Sequence, residues 1–517
     1  MRKIELYDTT LRDGSQSEVI SFSLHDKVRL ACRLDELGFD FVEGGYPASN
    51  PKDSEFFQSI PAHEIVNSRI CAFGMTRRKN VLAAEDDGLK ALLDSNAPVI
   101  TLVGKASRFQ AEEIIRVSAE DNLQMIRDSI LFLVAHGRDV IFDAEHFFDG
   151  AKLDLEYSLQ CLKTAEESGA IRAVLCDTNG GSLPEEVAEL TRKAVDALQI
   201  PIGIHPHNDC GLAVANALAA VDAGASQVQG TVNGLGERCG NVDLVVVAAN
   251  LALKKKYSVL RWDSLARLTD LARFVYELAN MPPVSNQPYV GKSAFAHKGG
   301  MHVSGIARNS SSYEHVDPKL IGNERRILIS ELSGRSNIMA LAEKYNIPRE
   351  PKVMDAILRN VVQKESDGYQ YEAAGGSFAI LVNKAAGKFQ PHFERVSYTV
   401  NVHTNSGGHI ITEAIVKFKV GERTFHEVAE GDGPINALDA ALRKGLEVVY
   451  PQLRTMQLLD YKVRVINAEA ATAAVVRVII ESRDEKESWG TVGVSENVIE
   501  ASWIALTDSL EYKLGKE

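Results

Sequence analysis

The chain has 517 residues, 45% of them hydrophobic and 25% charged, enough for two or three domains with ordinary cores and too apolar for a disordered chain. Its formal net charge is −13 and no block of Lys and Arg stands out, which argues against a nucleic-acid partner. Six scattered cysteines without Cys-x-x-Cys spacing, a start (MRKIELYDTT) that turns polar at once, and a longest apolar run of only Leu244–Leu253 lead to the expectation of a soluble, cytoplasmic protein with reduced thiols, since a membrane span needs about 20 apolar residues.

Up to about residue 275, short β-branched runs alternate with longer amphipathic stretches. Strands are predicted at Ile4–Tyr7, Phe39–Glu43, Arg69–Phe73, Val99–Val103, Asp139–Asp143, Ala173–Asp177, Pro201–His205 and Gln227–Thr231. Helical patterns such as HDKVRLACRLDELG and PEEVAELTRKAVDAL lie between them; in the second, Pro184 suits the first helical turn and two Glu residues follow it at the positive end of the dipole. Eight strand–helix units in a row predict a parallel (β/α)8 TIM barrel over residues 1–275. The alternative, a doubly wound open sheet, would carry a Gly-rich phosphate loop after the first strand, where this chain has YDTTLRDG.

The strand tails read DTTLRDG, EGGYP, FGMTRR, GKAS, DAEHFFDG, DTNGG, HPHNDCG and NGLGERCGN. In a barrel these ends converge on one face, where an active site is expected. His205 and His207 are two apart at a strand end and share a face, so both imidazoles can reach one ion. Asp13 adds a hard oxygen ligand, and Asn241 a neutral oxygen or a partner for a metal-bound water. Two imidazoles with oxygens and no cysteine fit an open catalytic site for Zn2+, Mn2+ or Mg2+. Arg12 is placed to stabilise an oxyanion. Glu145, two residues after Asp143, is expected to be buried and to act as acid or base; His146 is expected to face away, and Thr178 to offer a hydroxyl for substrate or for a loop hydrogen bond.

Residues 276–395 read as linker subdomains: a Pro- and Asn-rich connector (NMPPVSNQPYVG), two histidine-bearing loops (AFAHKGGMHVSG and SYEHVDP), a helix over Arg349–Glu365, and YEAAGGSFAI as a hinge. Residues 396–517 carry a weak internal repeat of two β-rich units, each closed by an amphipathic helix, and are expected to form an α+β regulatory or dimerisation domain.

DTTLRDG at 8–14, HPHND at 205–209, GLGERCGN at 234–241 and HKGGMH at 297–302 together resemble the acyl-CoA-condensing branch of the DRE-TIM metallolyases, which includes the 2-isopropylmalate, homocitrate and citramalate synthases. DAEHFFDG, LCDTNGGSLPEE, GPINALDAALRKGLE and ESWGTVGVSENVIEASW are most similar to the citramalate subgroup, and DGSQSEV stands where 2-isopropylmalate synthases carry DGxQ-x-PG. The resemblance implies a Claisen-type condensation of acetyl-CoA with pyruvate and water that yields (R)-citramalate and CoA for isoleucine biosynthesis. It implies a divalent metal on Asp13, His205, His207 and Asn241, catalytic roles for Arg12, Glu145, His302 and Tyr313, a homodimer, and isoleucine as an effector. A sister synthase using another 2-keto acid is the nearest alternative, its choice falling on residues around Met75, Leu102 and Asp143; a metal-dependent acyl-CoA lyase is the second.

Overall fold

The structure is a computed structural model that describes residues 2–330, 333–342, 345, 347, 348, 350–466 and 474–516. Eight parallel strands close into a barrel in sequence order: β1 (Glu5–Asp8), β2 (Phe41–Gly45), β3 (Arg69–Met75), β4 (Val99–Lys105), β5 (Asp139–Glu145), β6 (Arg172–Asp177), β7 (Ile202–Pro206) and β8 (Gln227–Gly230). Each predicted strand is present with its ends displaced by no more than two residues, and β8 closes on β1 with Leu6 opposite Val228. The local signals for the helices hold as well. Helix Leu24–Leu37 begins with a capping box between Ser23 and Asp26 and stops at Gly38, whose φ of 83° suits a residue without Cβ. Helix Pro184–Ala197 starts on its proline, and the Glu186 carboxylate accepts the Leu183 N–H at 2.8 Å.

Side chains two apart share a face, so the interior is built in rings. Tyr7, Phe41, Cys71, Val99, Ile141 and Val174 form an apolar plug of their own. One step toward the C-terminal face the ring reads Thr9, Glu43, Phe73, Thr101, Asp143, Cys176, His205 and Gln229; one further step brings Met75, Val103, Glu145, Thr178 and His207. The plug seals the barrel below, and the polar ring above it is the floor of the site. Leu102 lies outside this series: it is fully buried in the core between strands and helices, so Val103, not Leu102, faces the mouth. A single residue of register decides the face.

The molecule divides into two compact units, residues 1–295 with 316–324, and residues 296–315 with 325–517. The stretch expected to form linker subdomains is thus shared between them. Its Pro-rich start packs in the first unit, where buried Gln287 donates to Asn233 (3.0 Å) and Asp243 (2.8 Å).

In the second unit, β9 (Ala296–His297) pairs with β10 (Arg326–Ile327). The expected helix is found as Pro351–Ser366, Arg349 lying outside the described residues. The segment expected to hinge is instead the start of helix Gly375–Ala385. A Cβ at Gly376 would meet the Gly490 carbonyl at 3.0 Å, so this glycine serves close helix-to-sheet packing rather than bending.

Two antiparallel three-stranded sheets follow, each closed by a helix: β11 (Glu394–Thr404), β12 (Ile410–Val420) and β13 (Arg423–Gly431) with helix Pro434–Val449, then β14 (Gln457–Val465), β15 (Val476–Arg483) and β16 (Ser488–Ser495) with helix Val498–Leu514. Phe418 and Leu442 of the first repeat and Ile480 and Leu506 of the second share one core. Among the described residues no helix is long and apolar enough to cross a membrane.

Candidate metal centre and active site

Asp13, His205 and His207 are buried, and one donor atom from each lies within 4.8 Å of the others. Asp13 sits in a short turn after β1 whose backbone is tied down by Thr9 and Thr10: Thr9 Oγ1 accepts the Asp13 N–H at 3.3 Å, and Thr10 Oγ1 accepts the Val232 N–H at 2.8 Å, joining the β1 and β8 loops. The Asp13 carboxylate lies 3.3 Å from His205 Nε2. Burial alone would raise its pKa, but the Arg12 charge and the His205 hydrogen bond outweigh that and hold it well below the usual carboxylate range. Burial, with the neighbouring His205, pushes His207 down to about 4. An ionised carboxylate beside a neutral imidazole is a donor set for a cation.

Asn241 belongs to this cluster. It is buried, it pairs with His207 in an isolated antiparallel bridge, and its Nδ2 donates to the Leu235 carbonyl at 3.2 Å. Its Oδ1 has no hydrogen-bond partner among the described residues, and neither has His207 Nδ1. An unpartnered buried oxygen is costly, and an ion coordinated by the Asn241 amide oxygen removes that cost. The loop that delivers Asn241 depends on Gly240, at φ 87°, where a Cβ would stand 1.9 Å from the Gly234 carbonyl. The residues present therefore fit a divalent cation.

Arg12 is clamped on three sides. Its Nε donates to Glu43 at 2.7 Å, its Nη1 lies 3.3 Å from Asp13, and its guanidinium carbon sits 3.9 Å from the centroid of the Phe73 ring. Glu43 is fully buried and accepts from Tyr7 as well (2.7 Å) and from Thr9. Neither Glu43 nor Phe73 had been singled out from the sequence; both occupy inward positions of the polar ring, and an acid directly after the apolar pair Phe41-Val42, within a strand expected to be buried, was the available signal.

A third inward residue, Gln229, accepts from His205 Nδ1 (3.0 Å) and donates from Nε2 to Asp143 (3.0 Å). Burial, with Glu43 adding to it and His205 and Arg12 opposing, pushes the Asp143 carboxyl up to about 7.

The other sequence-derived residues are placed as follows. Glu145 is partly exposed rather than buried, and its carboxylate is ion-paired with Lys105 across the β4–β5 pairing, so the buried acid of β5 is Asp143. Thr178 Oγ1 accepts the His146 N–H at 2.9 Å, and its carbonyl accepts from Arg238, which also holds Asp209. His302 and Tyr313 are exposed residues of the second unit whose rings stack, with centroids 4.1 Å apart.

A cavity of about 680 Å3 opens over the ends of β2 to β5, with Lys105 and Glu145 in its lining. Met75, Val103, Val117 and Met125 give it apolar walls, and Arg77, Arg78 and Lys79 stand along one side.

Residues 3–275 match the HMGL-like family, residues 289–368 the homocitrate synthase post-HMGL domain-like family, and residues 372–514 the LeuA allosteric (dimerisation) domain. The chain is 49% identical to the (R)-citramalate synthase of Geobacter sulfurreducens over all of this chain and 98% of that protein. It is 47% identical to that of Aquifex aeolicus, again over all of this chain and 98% of the relative. A probable 2-isopropylmalate synthase of Methanopyrus kandleri is 30% identical over 97% of this chain and 96% of that protein. With its barrel, its Asp–His–His cluster and its C-terminal domain all accounted for along the full length, the chain belongs to the HMGL-like family and, within it, to the (R)-citramalate synthases.

Proposed function

We propose that this enzyme condenses acetyl-CoA with pyruvate and water to give (R)-citramalate and CoA, in the cytoplasm and toward isoleucine. The observation that carries the reading is the convergence of Asp13, His205 and His207 with the clamped guanidinium of Arg12 on one barrel rim. Full-length identity to (R)-citramalate synthases supports pyruvate as the keto acid.

A divalent cation (Zn2+, Mn2+ or Mg2+) held by Asp13, His205, His207 and Asn241 supplies a Lewis acid for a 2-keto acid. Arg12 spends one N–H on Glu43 and keeps others for the keto oxygen, where negative charge grows as the acetyl methyl carbon adds to the keto carbon. The guanidinium is held against Phe73 and Glu43 before substrate arrives, so little reorganisation is needed at that moment. The methyl proton passes to a base drawn from His302 and Tyr313, with Glu145 and its partner Lys105 as a relay, and Thr178 contributes a hydrogen bond to the bound keto acid. The apolar cavity with its cationic side accommodates the pantetheine arm and phosphates of the acyl donor. Hydrolysis of the resulting thioester releases CoA and drives the reaction forward.

The second unit acts as a homodimerisation and feedback module that takes isoleucine as effector. The supporting feature is exposed apolar residues on the edge strands of the two sheets: Val396 and Val402 on β11, and Leu459, Val463 and Val465 on β14.

CoA release from acetyl-CoA with a panel of 2-keto acids tests the reading. Pyruvate should be used at least tenfold better, by kcat/KM, than 2-ketoisovalerate or 2-ketoglutarate; a preference for either of those overturns it.

A further inference from the structure

The interior polar ring contains a chain of three side chains from three strands: His205 on β7, Gln229 on β8 and Asp143 on β5. All three are buried, Gln229 and Asp143 at 1% and 3% exposure, so these hydrogen bonds do not compete with bulk water. The polarity of the chain is fixed from its far end. Gln229 Nε2 stands 3.0 Å from Asp143 Oδ1, and an amide nitrogen only donates, so Oδ1 accepts whether or not the other carboxyl oxygen holds a proton. The amide oxygen then faces His205, 3.0 Å from Nδ1, and an oxygen there requires the proton on Nδ1. With Nδ1 turned to Gln229, Nε2 is the ring nitrogen left to meet either the Asp13 carboxylate, 3.3 Å away, or a cation in its place.

His207 has no counterpart to this chain. Its Nδ1 is without a partner among the described residues, so the two imidazoles are held by different means.

We infer that Gln229 and Asp143 are positioning residues that fix the tautomer and ring orientation of His205, and so set the affinity of the site for its cation. Gln229 does not touch the reacting atoms; it acts through His205. Hydrogen-bonded partners of metal-ligating imidazoles are worth about 10–100-fold in metal affinity. The inference rests on the metal reading of Asp13, His205 and His207.

Binding of Co2+ to the full-length apo-protein, measured by competition with a chromophoric chelator and by the visible absorption of the bound ion, tests it. Wild type should bind one Co2+ per chain. Gln229→Met, which keeps volume and removes the acceptor, should raise the Kd about 10–100-fold and shift the absorption bands, with thermal unfolding of the apo-protein little changed. Asp143→Leu should move the Kd the same way by a smaller factor. The double variant should bind no more weakly than Gln229→Met alone, because both changes act through a single bond to His205. A Kd for Gln229→Met within twofold of wild type and an unchanged spectrum overturn the inference. Should that variant not fold, Asp143→Leu decides alone: an unchanged Kd and spectrum overturn it. Failure of the wild type to bind Co2+ would instead overturn the metal reading itself, and the two failures are told apart by that control.

Discussion

The guanidinium of Arg12 lies over the ring of Phe73, 3.9 Å from its centroid, while its Nε donates to Glu43. A planar cation held by a ring face on one side and a carboxylate at its edge has one orientation, and a point charge on a flexible stem cannot reproduce it.

Arg12→Lys keeps the charge and loses that fixed plane. We expect kcat to fall about 100–1000-fold, the cost of removing one preorganised donor to a developing oxyanion, with KM for pyruvate changed far less. Steady-state kinetics on the purified variant check this, and a variant within fivefold of wild-type kcat would remove Arg12 from the chemistry.

His207→Ala removes a donor while leaving the plug below it intact. Turnover and bound metal should be lost together, with far-ultraviolet circular dichroism unchanged. Full activity after exhaustive chelation of the wild type would count against a metal role.

Asp508, on the helix Val498–Leu514, gives a pH prediction for stability. Burial, opposed by a 2.7 Å hydrogen bond from Ser377, pushes its carboxyl up to about 6 in the folded protein, above the ordinary value of 3.8. Below pH 4 both states keep the proton. Between pH 4 and 6 the unfolded chain releases it first, so stability falls across that window and levels off above it. The loss is about 1–3 kcal/mol. Urea unfolding of wild type and Asp508→Asn, followed through Trp489 and Trp503 in the second core, should show a stability difference that grows from pH 4 to 6 in favour of the variant. A difference that is flat over that range contradicts it.

Val402→Lys with Val463→Lys places two charges on the exposed edge strands β11 and β14. Sedimentation velocity should show self-association weakened by about tenfold or more, the result expected when lysines replace apolar side chains in the proposed contact. Unchanged association would move the dimer interface elsewhere.

The barrel was legible because each strand has its own apolar run and each run ends in polar residues. His205 and His207 were legible for the same reason: two residues of one strand end share a face by a rule of period two. What stayed hidden was what that rule does between strands. Gln229 and Asp143 are 86 residues apart and meet only when β8 and β5 face each other across the closed barrel. Leu102 shows the opposite failing, for at a strand end a slip of one position exchanges the mouth for the helix layer, and the run VITLVGK is apolar on both faces. Glu145 has the inward position expected of it, yet Lys105 on the neighbouring strand neutralises it, a pairing that needs the β4–β5 register to be seen.

The core of the second unit joins parts of the chain that look unrelated in sequence. Ile338, Ile357 and Phe378 pack with Val492 of β16, and Asn337, next to Ile338, donates to the Lys298 carbonyl at the approach to His302. The stacked pair His302 and Tyr313 is therefore anchored to the same piece of protein as the sheets. Sheets and stacked pair thus belong to one unit, so a substitution that loosens the core between Ile338 and Val492 is felt at both.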